Sequence, residues 1–359
     1  MTLSFTSQTF TYNAAPARIL FGAGRAAEIA DELRRLECRR ALILSTPSQQ
    51  QLAEQIAQQL GELYGGSFTE AVMHTPVAVT EKALAYLQAQ QCDSIVALGG
   101  GSTIGLGKAL ALRTDLPQVV LPTTYAGSEV TAILGQTENG IKTTQRSPRI
   151  LPEVVIYDVN LTLTLPPALS ATSGMNALAH AVEALYARDA NPIVSLMAAE
   201  GIRALARSLP RVVAHPDDLA ARSDAQYGAW LCGTCLGAVG MALHHKICHV
   251  LGGTFDLPHA PTHTIMLPHA LAYNAPSAPQ AMRVIADALD TDDAVRGMYK
   301  LAQRLDTPLA LRDIGMPESG IARAAELVMQ DAYWNPRPLE QQAITAMLAR
   351  AWAGEAPAS

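Results

Sequence analysis

Ser94–Leu112 reads SIVALGGGSTIGLGKALAL, and its reading decides the fold. Ser94–Leu98 is a short apolar run with the look of a buried strand. Gly99-Gly100-Gly101-Ser102 breaks it, and Thr103–Leu112 continues as a helix. Strand, glycine turn and helix N-terminus together make an anion site. The glycines let backbone N–H groups approach a phosphate, and the helix dipole favours negative charge. The pyrophosphate of a dinucleotide is the expected occupant; a tight turn without a ligand is the plain alternative. A Walker A reading of Gly107-Lys108 fails. Its first glycine falls at Ser102, and Ala109 stands where a magnesium-binding hydroxyl is needed.

Outward from this unit, strands alternate with helices. Toward the N-terminus the strands are expected around Ser4–Tyr12, Arg18–Phe21, Ala41–Leu44 and Ala71–Met73. Helices are expected at Ala26–Leu36, Gln49–Leu60 and Thr80–Gln90. Toward the C-terminus, Gln118–Leu121 is a strand closing on Pro122-Thr123-Thr124-Tyr125-Ala126-Gly127-Ser128-Glu129. Gln136–Lys142 and Ile150–Tyr157 read as further strands. Such alternation argues an α/β domain with a parallel sheet covered on both faces. In open sheets of this kind ligands bind outside the carboxyl ends of the strands. Gly99, Gly100, Gly101, Ser102, Thr123, Thr124 and Ser128 are therefore the candidate cofactor-binding residues, with Lys142 as a further cation for ribose or phosphate. A rival turn, Gly22-Ala23-Gly24-Arg25-Ala26-Ala27, fits GxGxxA. The strand end some twenty residues on carries Ser45-Thr46 instead of the acid that grips a ribose.

From Pro166 the chain turns Ala- and Leu-rich with helical spacing. This divides it into an α/β domain over 1–160 and an all-helical domain over 161–359, which suits a chain of 359 residues. Asn176 and His180, four apart on an expected helix Gly174–Ala187, share a face. His244–His259, HHKICHVLGGTFDLPH, holds four of the nine histidines. His245 and His249 share a helix face, and Gly252-Gly253 lets the chain bring His259 back. Imidazole changes charge near neutral pH and is also the commonest metal ligand. Interleaved apolar residues argue burial rather than a surface helix with incidental histidines.

Composition narrows the class. Net charge is −6 with no basic run, so there is no nucleic-acid footprint. The N-terminus lacks the pattern of a signal peptide, and no apolar run is long enough to span a membrane, so a cytoplasmic location is expected. The five cysteines are scattered. Cys232 and Cys235 form a CxxC within an apolar segment and read as small core residues.

Gly99–Ser102, Thr123–Glu129, Gly174–His180 and His245…His249…His259 carry a resemblance to the iron-containing alcohol dehydrogenase superfamily. That resemblance implies a dehydroquinate synthase-like fold, with a dinucleotide-binding α/β domain and an all-helical catalytic domain flanking the active site. Metal-dependent members ligate through one Asp and three His, which match Asn176, His180, His245 and His259. The histidines are kept and the carboxylate is not. An uncharged amide is a poorer ligand for a divalent cation, so no metal is expected. The Met73–Val77 segment, Trp230–Gly237, His244-His245-Lys246 and Tyr333-Trp334-Asn335-Pro336-Arg337-Pro338 are similar to one subgroup, the maleylacetate reductases. This implies NADH- or NADPH-dependent reduction of the C=C bond of maleylacetate, and of its chlorinated analogues, to 3-oxoadipate in aromatic breakdown. The family also suggests a homodimer.

The implied chemistry assigns roles. Hydride adds to the alkene carbon beta to the ketone, an enolate oxygen develops, and the alpha carbon takes a proton. His249 or His245 is the expected general acid. His180, His259, Asn176 and Lys246 are expected to hold the substrate's oxygens, and Arg337 to bind a carboxylate. Thr46 stands where NAD-preferring relatives often carry an Asp, so use of both NADH and NADPH is expected. The alternatives are a metal-dependent alcohol or polyol dehydrogenase, a lyase resembling dehydroquinate synthase, and a non-catalytic dinucleotide-binding protein.

Overall fold

The computed structural model describes residues 9–15, 17–138, 141–330 and 333–358, and the backbone alone at 141 and 142. Backbone contacts divide the chain into an α/β unit, Ala14–Leu165, and a helical unit beginning at Pro166, with which residues 9–13 also group.

In the α/β unit the strands are β1 (Arg18–Phe21), β2 (Ala41–Leu44), β3 (Tyr64–Phe68), β4 (Ser94–Gly99), β5 (Gln118–Pro122), β6 (Ile133–Glu138), β7 (Ile141–Arg146) and β8 (Val154–Tyr157). Six of them form a parallel sheet in the order β1-β8-β5-β4-β2-β3. Between them run α1 (Ile29–Arg35), α2 (Gln50–Leu60), α3 (Val77–Ala89) and α4 (Gly101–Thr114). The central strand β4 is buried along its whole length. Side chains alternate across the sheet. Ile43, Val96, Leu98 and Leu121 pack with Leu33, Ile56 and Leu60 on one face, while Leu42, Leu44 and Ile95 pack with Ala83, Leu87, Leu106 and Leu110 on the other. Each such side chain contributes about 1.5–3 kcal/mol by leaving water. After β3 the chain crosses β2 to reach β4, so the strand order reverses between β2 and β4 and places the binding crevice at their carboxyl ends.

Three expectations are corrected. The third strand is Tyr64–Phe68, not Ala71–Met73. Position 65 in that strand takes a glycine because a Cβ there would meet the Cys92 Sγ at 2.5 Å. Gln136–Lys142 is not one strand. It spans the turn of an antiparallel hairpin, β6–β7, in which Thr137 faces Lys142. The expected strand at Ser4–Tyr12 falls partly outside the described residues, and 9–12 are not in a strand.

In the helical unit the helices are α5 (Pro167–Leu185), α6 (Pro192–Ala214), α7 (Leu219–Ala238), α8 (Leu243–Phe255), α9 (His259–Asn274), α10 (Pro279–Ala288), α11 (Ala294–Arg304), α12 (Gly320–Met329) and α13 (Gln341–Ala353). Asn191 and Asp218 cap α6 and α7 through the Val194 and Ala221 amides. Gly201 and Gly228 let these two helices approach closely, since a Cβ on Gly201 would meet the Cys232 Sγ at 2.8 Å. Cys232 and Cys235 are free, buried core residues. α5 is sheathed by its neighbours, with Ser170–Thr172 and Gly174–Ala184 all buried. No helix of the described residues is long and apolar enough to cross a membrane.

Candidate active site

The glycine turn of the α/β unit has the form of a phosphate cradle. Gly99 has φ +150°, and a Cβ there would meet the Thr103 Oγ1 at 2.5 Å. A Cβ on Gly100 would meet Thr124 at 2.8 Å, whereas one on Gly101 would meet nothing within 4 Å. The open space therefore lies over Gly101, at the start of α4. Gly100 precedes that helix without a capping side chain, so its first amides face outward. The Thr123 amide donates to the Gly99 carbonyl at 3.1 Å, which sets Thr123 and Thr124 beside the turn. These residues fit a dinucleotide pyrophosphate.

The rival turn at Gly22–Ala27 is already filled. The amides of Gly24 and Ala26 both donate to the Asp158 carboxylate at 2.9 Å. Asp158 is thus the anion of that turn, and a phosphate there would oppose it.

Two supporting residues, Gln49 and Lys108, were not expected from the sequence as parts of this site. Gln49 donates to the Thr123 hydroxyl at 2.7 Å and accepts from Thr46 at 3.3 Å, linking the carboxyl ends of β2 and β5. Lys108 is fully buried, and its Nζ lies at 2.5–3.2 Å from the Ser128 carbonyl and hydroxyl, the Thr131 hydroxyl and the Ile133 carbonyl. Burial pulls its ammonium down to about 7, against the attraction of Glu129. Ser128 is thereby tied to Lys108. Of Lys142, the side chain lies outside the described residues.

The helical unit carries the histidines. On α5, Asn176 and His180 are each 3% exposed, and Glu183 is fully buried one turn on. Ala242, which begins α8, offers no capping side chain. Glu183 takes that place. Its carboxylate accepts from the Ala242 amide at 2.8 Å and the His244 amide at 2.7 Å, where the helix dipole favours negative charge. It also meets the His245 Nδ1 at 2.7 Å. A carboxylate at Nδ1 holds the proton there and turns Nε2 outward. The His180 and His245 rings are 5.2 Å apart. Asn176 Oδ1, His180 Nδ1 and His245 Nε2 are buried and have no hydrogen-bond partner among the described residues. Burial first, and then His245 and His259, pull the His180 imidazole well below its usual range.

His249 is half-buried on α8, with its Nδ1 3.0 Å from the Tyr333 hydroxyl, and the Lys246 ammonium lies 5.8 Å from the Tyr333 ring centre. His259, at the start of α9, is exposed, its ring 4.3 Å from that of His263. His263 escaped notice although it lies four residues past His259 on one helix face. It is buried with His244, whose Nε2 is 3.0 Å from its Nδ1, and with Cys248. Arg337 is placed differently from expectation. Its guanidinium stacks on Tyr273 at 4.3 Å and donates to the Tyr273 carbonyl at 3.1 Å, so it anchors its own loop instead of reaching for a substrate.

The four positions implied for a metal fit resident iron poorly. Asn176 offers an uncharged oxygen, and both oxygens of Glu183 face the start of α8. Among the described residues, the donor atoms of His180, His245 and His259 do not gather within 4.8 Å; those of His244, Cys248 and His263 do.

Comparison with known proteins matches 16–159 to the family model "Iron-containing alcohol dehydrogenase" and 170–352 to "Fe-containing alcohol dehydrogenase family, C-terminal". The chain is 57% identical to a maleylacetate reductase of Rhizobium sp. (strain MTP-10005), covering 98% of this chain and 99% of that one. It is 55% identical to a maleylacetate reductase of Sphingobium indicum, covering 97% and 99%. The crystal structure of maleylacetate reductase from Agrobacterium tumefaciens superposes with a TM-score of 0.94 at 57% identity, covering 98% and 100%.

Proposed function

The chain belongs to the iron-containing alcohol dehydrogenase family, and from that premise we propose how its residues carry out the reaction of a maleylacetate reductase. It is an oxidoreductase that reduces the C=C bond of maleylacetate to 3-oxoadipate. A nicotinamide dinucleotide, bound at Gly99–Ser102, Thr123 and Thr124, supplies the hydride. Thr46 neither grips an adenosine ribose as an acid would nor repels a 2′-phosphate, so NADH and NADPH are both used, within about a hundredfold of each other. The substrate arises from ring cleavage in aromatic breakdown, and chlorinated analogues are accepted.

The observation that carries the mechanism is the Glu183–His245 contact at 2.7 Å. Fixed by Glu183, His245 presents Nε2 toward the substrate beside His180 and Asn176. As hydride arrives at the carbon beta to the ketone, negative charge grows on the ketone oxygen. Stabilising that oxygen calls for a His245 protonated on both nitrogens, with Nδ1 on Glu183 and Nε2 donating outward beside the Asn176 amide. One of His245 and His249 delivers the proton to the alpha carbon, and alanine substitution of each separates them. Lys246 and His259 neutralise substrate charge at the rim. No metal-dependent step is invoked, because the set Asn176, His180, His245 and His259 lacks a carboxylate ligand.

The test is NADH oxidation with maleylacetate, using chelator-treated protein assayed for residual metal. Full turnover without metal is expected. Turnover restored only by iron or zinc would overturn the metal-free mechanism and favour the metal-dependent reading. Absence of turnover in both conditions would overturn the assignment of substrate.

A further inference from the structure

Maleylacetate carries two carboxylates, and the cation expected to bind one of them, Arg337, is committed to Tyr273. A different arginine is available. In the helical unit a cavity of about 390 Å³ is lined by Arg188, Asp189, Gly240, Met241 and Trp334. Arg188 is exposed and has neither a hydrogen bond nor an ion pair among the described residues. It follows α5, the helix of Asn176, His180 and Glu183, by three residues.

The cavity is joined to the histidines through its walls. The Asp189 carboxylate accepts from the Gly240 amide at 2.9 and 3.3 Å. This bond ties the end of α5 to the segment that leads into His244 and His245. It also turns the one acidic group of the cavity onto a donor, so that it opposes an incoming anion less. Met241 lies four residues before His245. On the other wall Trp334 adjoins Tyr333, whose hydroxyl meets His249. The lining joins this guanidinium to an indole and a thioether, which offer an apolar surface to the carbon chain of a ligand. The planar fork of arginine matches a carboxylate with two parallel bonds.

We propose that Arg188 and this cavity receive the carboxylate of the acetate arm, the one beyond the ketone, and that Arg188 sets the preference of the enzyme for a dicarboxylate. The inference rests on the maleylacetate reading. The carboxylate beside the alkene is one bond from the carbon that accepts hydride. The acetate-arm carboxylate is one methylene from the carbonyl that the imidazoles hold, which suits a cavity whose walls, Gly240-Met241 and Trp334, lead in the chain to α8 and to Tyr333.

The experiment compares wild type with Arg188→Gln and Arg188→Lys on maleylacetate and on the analogue whose acetate-arm carboxylate is replaced by methyl. Wild type is expected to prefer maleylacetate in kcat/KM by more than tenfold. In Arg188→Gln the preference falls below about threefold through KM, and Arg188→Lys lies between. An undiminished preference in Arg188→Gln would overturn the proposal. So would an equal loss on both substrates, which marks a structural role. Failure of wild type to reduce maleylacetate would strike the functional reading itself, separately from any effect of the substitutions.

Discussion

Glu183 is the residue on which the proposed chemistry turns. It is buried, and among the described residues its carboxylate is met by two backbone amides and the His245 imidazole. Glu183→Gln keeps the shape but cannot accept from all three donors. We expect kcat to fall on the order of 10²-fold or more, the scale of general acid–base effects, with a changed pH profile of kcat. A merely structural role would lower thermal stability and leave that profile in place. A second residue sets a pH dependence of stability. His269 is 3% exposed. Burial, and then the Arg350 guanidinium, pull its imidazole from 6.5 down to about 4. As pH falls the unfolded chain binds this proton before the folded one does. The stability present above pH 6.5 is therefore lost between about 6.5 and 4, by about 3 kcal/mol. Urea midpoints at pH 7 and 4.5 should differ less in His269→Gln than in wild type.

Two elements owe their roles to how they begin. The α4 helix begins on the glycine turn, and the two glycines ahead of its first full turn are not equivalent. A Cβ on Gly100 would meet Thr124, and one on Gly101 would enter open space. Gly101→Ala should keep the melting temperature within about 1 °C and raise the KM for NADH at least tenfold, by filling the phosphate space. Gly100→Ala should lower the melting temperature as well. Equal KM for wild type and Gly101→Ala would remove the cofactor from this turn. Farther along α4, Lys108 ties down the loop that carries Ser128. Lys108→Met removes the donor shared by the Ser128, Thr131 and Ile133 oxygens, and the expected loss is on the order of 2 kcal/mol. Denaturant unfolding measures it. Of these features the glycine turn was legible, because a glycine run between strand and helix has few other uses. The Lys108 anchor was not, since its acceptors come from 20 to 25 residues away.

At the scale of the whole molecule, an ion held only by the folded chain would raise its stability in proportion to the logarithm of the ion's concentration. Chelator-treated protein should therefore show a melting temperature that iron or zinc at tenfold excess shifts by less than about 1 °C. A larger rise that is lost in Cys248→Ala would place an ion at His244, Cys248 and His263. The alternation of the central strands and helices follows from the sequence alone, because burial on both sheet faces demands continuous apolar runs such as Ile95–Leu98 and Ala41–Leu44, whereas β3, with its Gly65-Gly66, and the β6–β7 hairpin lack such runs. The sharing of one helix face by Asn176 and His180, and by His245 and His249, follows from it too, since that spacing is local. The helical half after Pro166 was legible for the same reason. Other features were decided only by tertiary structure. Asp158 fills the turn at Gly24 from 134 residues away. Glu183 reaches His245 across 62 residues. Arg337 turns to Tyr273 across 64. Periodicity reports which face of an element is buried, and a polar side chain's partner is set by which buried donors the packed chain leaves opposite it.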